Sequence, residues 1–149
     1  SESSGHTGIA GGQFSDLNFE RKKIPLNRIV EMQIKKTGKL FSFCCMAPAI
    51  MKNKDSYLKK FDSIGSDIGL LFQIADDLID YSGNTRKVGK KTKKDSKKGK
   101  ATLISLLGYK NAINYSNKLK IKIYKNLEIF GNKANELKKT INFVVLRTR

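Results

Sequence analysis

Residues 61–90 read FDSIGSDIGLLFQIADDLIDYSGNTRKVGK, and their apolar pattern predicts a buried helix. Apolar side chains recur there at three- and four-residue steps, the spacing of one helix face. They are Phe61, Ile64, Ile68, Leu71, Phe72, Ala75 and Ile79. Three aspartates, Asp76, Asp77 and Asp80, interrupt this apolar segment. On a helix Gln73, Asp76 and Asp80 are one turn apart and share a face, with Asp77 beside them.

The mutual repulsion and the desolvation of the three clustered carboxylates have to be offset by another interaction. Two carboxylates about 6 Å apart repel by roughly 3 kcal/mol at an effective dielectric constant near 20, and partial burial adds a desolvation cost. Protonation, a lysine or arginine partner, or a bound hard cation would each relieve it. Carboxylate oxygens suit Mg²⁺, which completes its shell with water and substrate phosphates. The charge pattern by itself is equally compatible with a solvated acidic face near a helix end.

The composition indicates one domain, or part of a larger one. The chain has 149 residues, of which 39% are hydrophobic, enough to bury a core. Cys44 and Cys45 are adjacent in an apolar run, so we expect buried thiols in a reducing compartment and a cytoplasmic protein. The run from Leu40 to Met51 is too short to span a bilayer, and we see no signal peptide, so no stable membrane insertion is expected.

The formal net charge is +17, from 30 Lys and Arg against 13 Asp and Glu. Such an excess is typical of proteins that bind nucleic acid, an anionic membrane or a phosphate-rich ligand. One lysine cluster stands out, namely Lys90, Lys91, Lys93, Lys94, Lys97, Lys98 and Lys100. It has no interleaved aromatic residues, so stacking of bases is not indicated. A solubilising, lysine-rich loop explains most of these residues equally well.

The N-terminal part of the chain predicts a glycine-rich segment and then a long, interrupted helix. The segment contains Gly5, Gly8, Gly11 and Gly12, and is expected to be either a loop or a helix end where backbones approach closely. Pro25 is expected in the first turn of the helix that follows. Gly38 interrupts this helical pattern, which indicates a kink or a ligand near the backbone. Lys36 and Thr37 could bind phosphate at such a break, or simply face solvent.

The C-terminal part of the chain completes an all-α prediction. Gly83–Asn84 indicates a turn after the acidic helix. Two amphipathic helical patterns follow over 111–130 and 133–147, broken at Gly131–Asn132. No segment shows the alternation of a strand, so the predicted fold class is all-α.

Several of these residues together resemble the trans-isoprenyl diphosphate synthases. Phe72-Gln73-x-x-Asp76-Asp77-x-x-Asp80 resembles the second aspartate-rich motif of that family. Other elements occur in the family's order: Gly11-Gly12-Gln13 with Asp16-Leu17, Lys36-Thr37-Gly38-x-Leu40, Gly89-Lys90, Asp95, Gly99-Lys100-x-Thr102, and Leu106-x-Gly108. The match runs from about Gly5 to the C terminus. The likeness is closest to the bacterial farnesyl diphosphate synthases, or geranyltranstransferases.

The resemblance implies the C-terminal half of an isoprenoid synthase helical bundle. The family's first aspartate-rich motif and its basic residues for isopentenyl diphosphate lie upstream of the glycine-rich segment, and neither is present here. Residues 1–149 are therefore expected to be one portion of a single domain. This fragment is expected to be inactive alone, and the intact protein is expected to be a homodimer.

The resemblance also implies a reaction and its site residues. The family is a group of prenyltransferases that condense isopentenyl diphosphate with an allylic diphosphate, dimethylallyl or geranyl, using up to three Mg²⁺ ions. Asp76 corresponds to the main metal ligand, with Asp77 and Asp80 acting directly or through water. The implied diphosphate-binding residues are Lys36, Lys90 and Lys100. Thr37 and Gln73, with Lys36, are implied in catalysis, and Phe41, Phe72 and Gly69 would border the hydrocarbon tunnel.

Two other functions remain compatible with the residues. A non-catalytic helical module could bind nucleic acid or an anionic membrane through its lysines. A terpene cyclase of the same fold is less favoured, since the Lys-Thr-Gly and Gly-Lys elements are typical of chain elongation. Only the prenyltransferase interpretation predicts a Mg²⁺-dependent affinity for diphosphates that involves Asp76. Neither nucleic-acid binding nor a particular product length is predicted.

Overall fold

The computed structural model describes residues 2–87 and 101–146, with the side chains of 83–87 excepted. In these two ranges every regular element is helical, which confirms the all-α prediction. The α-helices are α1 (Ile9–Phe19), α2 (Leu26–Gln33), α3 (Lys39–Met51), α4 (Leu58–Lys87), α5 (Leu103–Leu107), α6 (Tyr109–Leu127) and α7 (Asn135–Leu146). A π-helical segment, Ile34–Gly38, joins α2 to α3. Short 3₁₀ turns cover Asp55–Tyr57 and Glu128–Ala134.

Helix α4 is the central element of the fold. It contacts α2, α3, α5, α6 and α7 as well as the π-helical segment. Four of its seven predicted core positions are buried, namely Ile64, Ile68, Leu71 and Ala75, whereas Phe61, Phe72 and Ile79 are half-buried. A helix surrounded on several sides has to be apolar around most of its circumference, and this is why the carboxylates at its C-terminal end are conspicuous.

The predicted turn at Gly83–Asn84 is wrong, because the backbone of α4 continues to Lys87. A glycine costs a helix only about 1 kcal/mol relative to alanine. Extending an existing helix adds one hydrogen bond per residue without a new nucleus. A long, well-packed helix therefore continues through a Gly-Asn pair that would otherwise indicate a turn.

Close backbone contacts explain the glycines of α1, α4 and the π-helical segment. A Cβ on Gly69 would lie 2.6 Å from the Cα of Gly38, and a Cβ on Gly65 would overlap the backbone of Ser42. A Cβ on Gly12 would likewise overlap the backbone of Lys36. The glycine-rich N-terminal segment is thus helical from Ile9, and the second of its two interpretations, close approach of backbones, is the correct one.

The break at Gly131 is confirmed, since this residue has a φ of 53° between α6 and α7. The prediction of two buried thiols is wrong for Cys44, which is exposed, whereas Cys45 is half-buried; both are free. Successive residues of a helix point about 100° apart, so the pair cannot turn into the core together. Within the described residues no helix is long and apolar enough to cross a membrane.

Candidate functional site

The π-helical segment sets the position of the Lys-Thr-Gly sequence. It packs against α1 on one side and α4 on the other. The absence of side chains at Gly38 and Gly69 lets the segment lie directly on α4, and the wider π turn is a feature that recurs at functional sites. Thr37 therefore faces the stretch of α4 one turn beyond Gly69, where Gln73 lies.

A chain of hydrogen bonds crosses this contact. The Thr37 hydroxyl donates to Oε1 of Gln73 over 3.1 Å, and Nε2 of Gln73 donates to Oδ1 of Asp77 over 3.1 Å. Nε2 of Gln33, at the end of α2, donates to Oδ2 of Asp77 over 3.3 Å. Both oxygens of one carboxylate thus accept from amides on two different helices. We call Gln33, Thr37, Gln73 and Asp77 the polar cluster.

Asp77 is the acidic member of the polar cluster, and its pKa is raised. Burial raises the pKa of its carboxyl to about 6. The hydrogen bond from Gln73 opposes this rise in pKa, the negative charges of Asp80 and Asp76 add to it, and the hydrogen bond from Gln33 opposes it. At neutral pH most molecules therefore carry a largely buried negative charge, for which a nearby cation would be stabilising.

The three aspartates differ in accessibility. Asp76 is half-buried and Asp80 is exposed, one turn further along α4, whereas Asp77 turns toward α2. Among the described residues no group of three or more His, Cys, Asp or Glu side chains converges as a metal site would require. The oxygen donors nevertheless fit Mg²⁺, because this ion is usually held by one or two carboxylates and completed by substrate phosphates and water. The aspartates could therefore supply the protein ligands on one side of a Mg²⁺ ion, with phosphate and water on the other.

Lys36 has a partner that its motif position does not reveal. Its Nζ lies 2.6 Å from Oδ2 of Asp16 on α1, and the two side chains are 31% and 16% exposed. The sequence analysis included Asp16 only as part of a motif. The contact arises because Gly12, one turn before Asp16, brings α1 against the backbone of Lys36. The other two lysines implied in diphosphate binding, Lys90 and Lys100, lie outside the described residues.

Gln33 is the member of the polar cluster that the sequence analysis missed. It is 3% exposed, and its Oε1 is buried without a hydrogen-bond partner among the described residues. A signal was present, because Gln33 precedes Thr37 by four residues and would share its face on a helix. A buried glutamine that points to the same place as a threonine and an aspartate is a sign of a polar site.

Apolar side chains border the polar cluster on the α3 side. The rings of Phe41 and Phe72 are in contact, with centroids 5.5 Å apart. A Cβ on Gly69 would lie 3.2 Å from the Phe41 ring. Both phenylalanines are half-buried. The three residues implied in the hydrocarbon tunnel are therefore neighbours, adjacent to the residues implied in catalysis.

The structure shows an all-helical protein with a hydrogen-bonded, acidic polar cluster beside an aromatic pair, and comparison with known proteins gives its family. Residues 3–144 match the family model described as polyprenyl synthetase. The chain therefore belongs to the polyprenyl synthetase family, the trans-isoprenyl diphosphate synthases.

Among relatives of known function, the farnesyl diphosphate synthase of Micrococcus luteus is 31% identical over the whole chain and 52% of its own length. The geranylgeranyl diphosphate synthase of Cyanophora paradoxa is 33% identical over 95% of the chain and 48% of its own length. The chain thus spans about half the length of the curated relatives it matches.

Solved structures of the family show the same fold. A farnesyl/geranylfarnesyl diphosphate synthase from Zymomonas mobilis superimposes with a TM-score of 0.79 at 36% identity, covering 96% of this chain and 47% of that one. A geranyltransferase from Helicobacter pylori, in complex with magnesium and isoprenyl diphosphate, gives 0.78 at 28% identity, over 97% and 48%. The predicted isoprenoid synthase bundle is confirmed.

Proposed function

We propose that this chain supplies the C-terminal half of a prenyltransferase that condenses isopentenyl diphosphate with dimethylallyl or geranyl diphosphate. The family membership supports the reaction class. The observation that carries the proposal for this chain is the hydrogen-bonded contact of Thr37, Gln73 and Asp77 beside an aromatic wall. Polar and apolar groups meet there as a substrate with a diphosphate head and a hydrocarbon tail requires.

In the proposed reaction the carbon–oxygen bond of the allylic diphosphate breaks, and the electron pair leaves with the diphosphate. The double bond of isopentenyl diphosphate attacks the allylic cation and leaves a new tertiary cation, which loses a proton to give the chain-extended allylic diphosphate. Lys36, Lys90 and Lys100 would hold the oxygens of the departing diphosphate by charge-assisted hydrogen bonds. Lys36 would exchange its present partner, Asp16, for those oxygens, or hold both.

Thr37 and Gln73 would act on the cation. The Oε1 atom of Gln73 is fixed by the Thr37 hydroxyl, and its amide nitrogen is fixed by Asp77. An oriented oxygen dipole stabilises developing positive charge without reorganising during the reaction. The faces of Phe41 and Phe72 would keep water away from the cation, so that it reacts with the double bond and not with solvent.

The metal-binding residues in the proposal are Asp76, Asp77 and Asp80. Bound Mg²⁺, up to three ions in the intact site, would neutralise the charge that develops on the leaving diphosphate. Asp76 is the main ligand in this proposal. Asp77, whose two oxygens already accept from Gln73 and Gln33, would act through water or by orienting the cluster.

The intact protein is proposed to be a homodimer without a nucleic-acid partner. Its proposed location is cytoplasmic, where free thiols such as Cys44 and Cys45 persist.

Reconstitution tests the proposal. This chain alone, and this chain joined to an upstream half of a synthase, are assayed with isopentenyl and dimethylallyl diphosphates and Mg²⁺. We expect turnover only with the upstream half, since one carboxylate cluster cannot complete the octahedral shells of the ions that clamp the diphosphate. Enzyme-like turnover by the chain alone would refute the two-cluster requirement.

A substitution in the active reconstituted protein separates the metal site from general stability. Asp76→Ala should lower turnover at saturating Mg²⁺ by at least about a hundredfold, because a positioned metal contributes several kcal/mol to transition-state stabilisation. The matched control is Asp55→Ala, at an exposed position in the 3₁₀ turn before α4. Near-normal turnover of the Asp76 variant would remove this residue from the site.

A further inference from the structure

A second candidate binding site lies between α6 and α7, away from the polar cluster. It is an open groove with a volume of about 290 Å³, lined by Tyr124, Asn135, Lys138, Lys139 and Asn142. This volume is at the lower limit for small-molecule pockets. The groove is formed by residues of α6 and α7, whereas the polar cluster is formed by residues of α2, α4 and the π-helical segment.

The groove is organised around the Tyr124 ring, with Lys138 in its lining and Lys120 at its edge, in contact with the lining residues Tyr124 and Asn142. Nζ of Lys120 lies 5.3 Å from the centroid of the Tyr124 ring, and Nζ of Lys138 lies 6.0 Å from it. The Tyr124 hydroxyl donates to the backbone carbonyl of Lys138 over 2.8 Å, which ties α6 to α7. Lys120 donates to Oδ1 of Asn142 over 2.6 Å. Both lysines are half-buried and are held in place by neutral partners.

The charge balance of the groove is strongly positive. Within the part of the chain that the structure describes, neither Lys120 nor Lys138 forms a salt bridge; Lys139 pairs with Glu136 at 2.7 Å, and both of those side chains are exposed. Residues 109–146 contain eight lysines and only two glutamates. The ammonium groups of these two half-buried lysines are stabilised partly by the ring and, for Lys120, by the amide oxygen of Asn142. An anion with several oxygens would stabilise them further.

We propose that this groove binds the phosphate groups of a small phosphorylated molecule. Lys120 and Lys138 would donate to the phosphate oxygens, and the amide nitrogens of Asn135 and Asn142 are further donors. The Tyr124 ring would contact the organic part of the ligand. The same phosphate chemistry occurs in free metabolites and in lipid headgroups, and the experiment separates these two sources.

Lysine footprinting of the reconstituted protein, this chain joined to an upstream half of a synthase, tests the proposal without any substitution. The protein is treated with a limiting amount of an acetylating reagent, with EDTA present, and the acetylation of each lysine is quantified by mass spectrometry. The probes are inorganic diphosphate and vesicles of equal parts phosphatidylglycerol and phosphatidylcholine. A probe at ten times its Kd should slow acetylation of Lys120 and Lys138 about tenfold. Acetylation of the exposed Lys118 and Lys125, which lie on α6 with Lys120, should change little.

The pattern of protection decides the outcome. Protection by diphosphate assigns the groove to a free phosphorylated molecule, and protection by vesicles alone assigns it to a lipid headgroup; both support phosphate binding. Lys36 reports separately on the polar cluster, so occupancy there cannot be mistaken for occupancy of the groove. Equal protection of Lys118, Lys120, Lys125 and Lys138, or protection of none of them, would overturn the proposal.

A double substitution gives an independent measurement. K120Q/K138Q keeps long polar side chains and should weaken binding of the effective probe by at least about tenfold, because two charge-assisted hydrogen bonds are lost. K118Q/K125Q removes the same charge from exposed positions and should change the Kd by less than about twofold. Far-UV circular dichroism checks that both variants fold. Equal weakening by both pairs would show diffuse attraction and refute a built groove.

Discussion

Gly69→Ala should separate the two helical segments that carry the polar cluster. The added Cβ would lie 2.6 Å from the Cα and 3.0 Å from the nitrogen of Gly38, and both of these are backbone atoms. A rotamer change cannot relieve such an overlap, so α4 has to move away from the π-helical segment. Overpacking of this kind costs typically 1–3 kcal/mol, and alanine recovers about 1 kcal/mol of helix propensity. We expect a net loss of up to about 2 kcal/mol in the free energy of unfolding.

Gly38→Ala provides a matched control on the other side of the same contact. Its Cβ would lie 3.2 Å from the carbonyl oxygen of Ser66 and 3.4 Å from Cγ2 of Ile34, distances that a small adjustment can accommodate. The gain in helix propensity, about 1 kcal/mol, should nearly offset this adjustment. The free energy of unfolding should therefore change by less than about 1 kcal/mol.

Urea denaturation followed by far-UV circular dichroism measures both variants, and activity of the reconstituted protein gives a second readout. Separation of the segments should lengthen the hydrogen bond between Thr37 and Gln73, now 3.1 Å, so Gly69→Ala should also lose turnover. If Gly69→Ala proves at least as stable as Gly38→Ala, the close contact does not govern packing and the reasoning is wrong.

Further predictions concern single charges. The pKa of Asp77 is about 6 against an ordinary 3.8, so the folded state binds more protons between these values. The stability of the folded state without metal should fall as pH rises from about 4 to above 6, by at most about 3 kcal/mol in all, of which about half falls between pH 5 and 8. Asp77→Asn should remove that fall in urea denaturation at pH 5 and 8; an unchanged pH profile would contradict it. Lys36→Ala in the reconstituted protein should lower turnover at least about tenfold, because a charge-assisted hydrogen bond is lost, whereas Lys39→Ala nearby should not; similar losses would refute a specific role. Single Lys90→Ala and Lys100→Ala changes should weaken diphosphate binding strongly, and changes at Lys93, Lys94, Lys97 or Lys98 only slightly; equal effects in titrations would indicate a diffuse basic patch.

The order of apolar residues was sufficient to predict the central helix. Burial of a helix face requires apolar side chains every three or four residues, and Ile64, Ile68, Leu71 and Ala75 follow this spacing in the sequence itself. The same holds for the break at Gly131. The ends of helices are harder to predict from the sequence. Extension of α4 past Gly83, for example, depends on a small difference between the cost of glycine in a helix and the gain from extending an existing one.

Candidate site residues were predictable as residue types in a motif order, and not as partners. The sequence was sufficient to recognise the motif residues Lys36, Thr37, Gln73 and the three aspartates. The sequence did not reveal two contacts: the hydrogen bond that Gln33 donates to Asp77, and the ion pair of Lys36 with Asp16. Both contacts join residues 20 or more positions apart, so they depend on how the helices cross.

The sequence by itself determined the helical class, the buried central helix, and the collection of carboxylates, amides and lysines available for chemistry. Only the tertiary structure decided that Asp77 is the aspartate turned toward α2, with its pKa raised, while Asp80 stays exposed. Only it brought Lys120 and Lys138 to one tyrosine ring. The physical reason is that periodicity specifies which side of a helix is buried, whereas a hydrogen bond or a pKa depends on the atoms that a neighbouring helix supplies. That neighbour is chosen by the close packing of glycines such as Gly38 and Gly69.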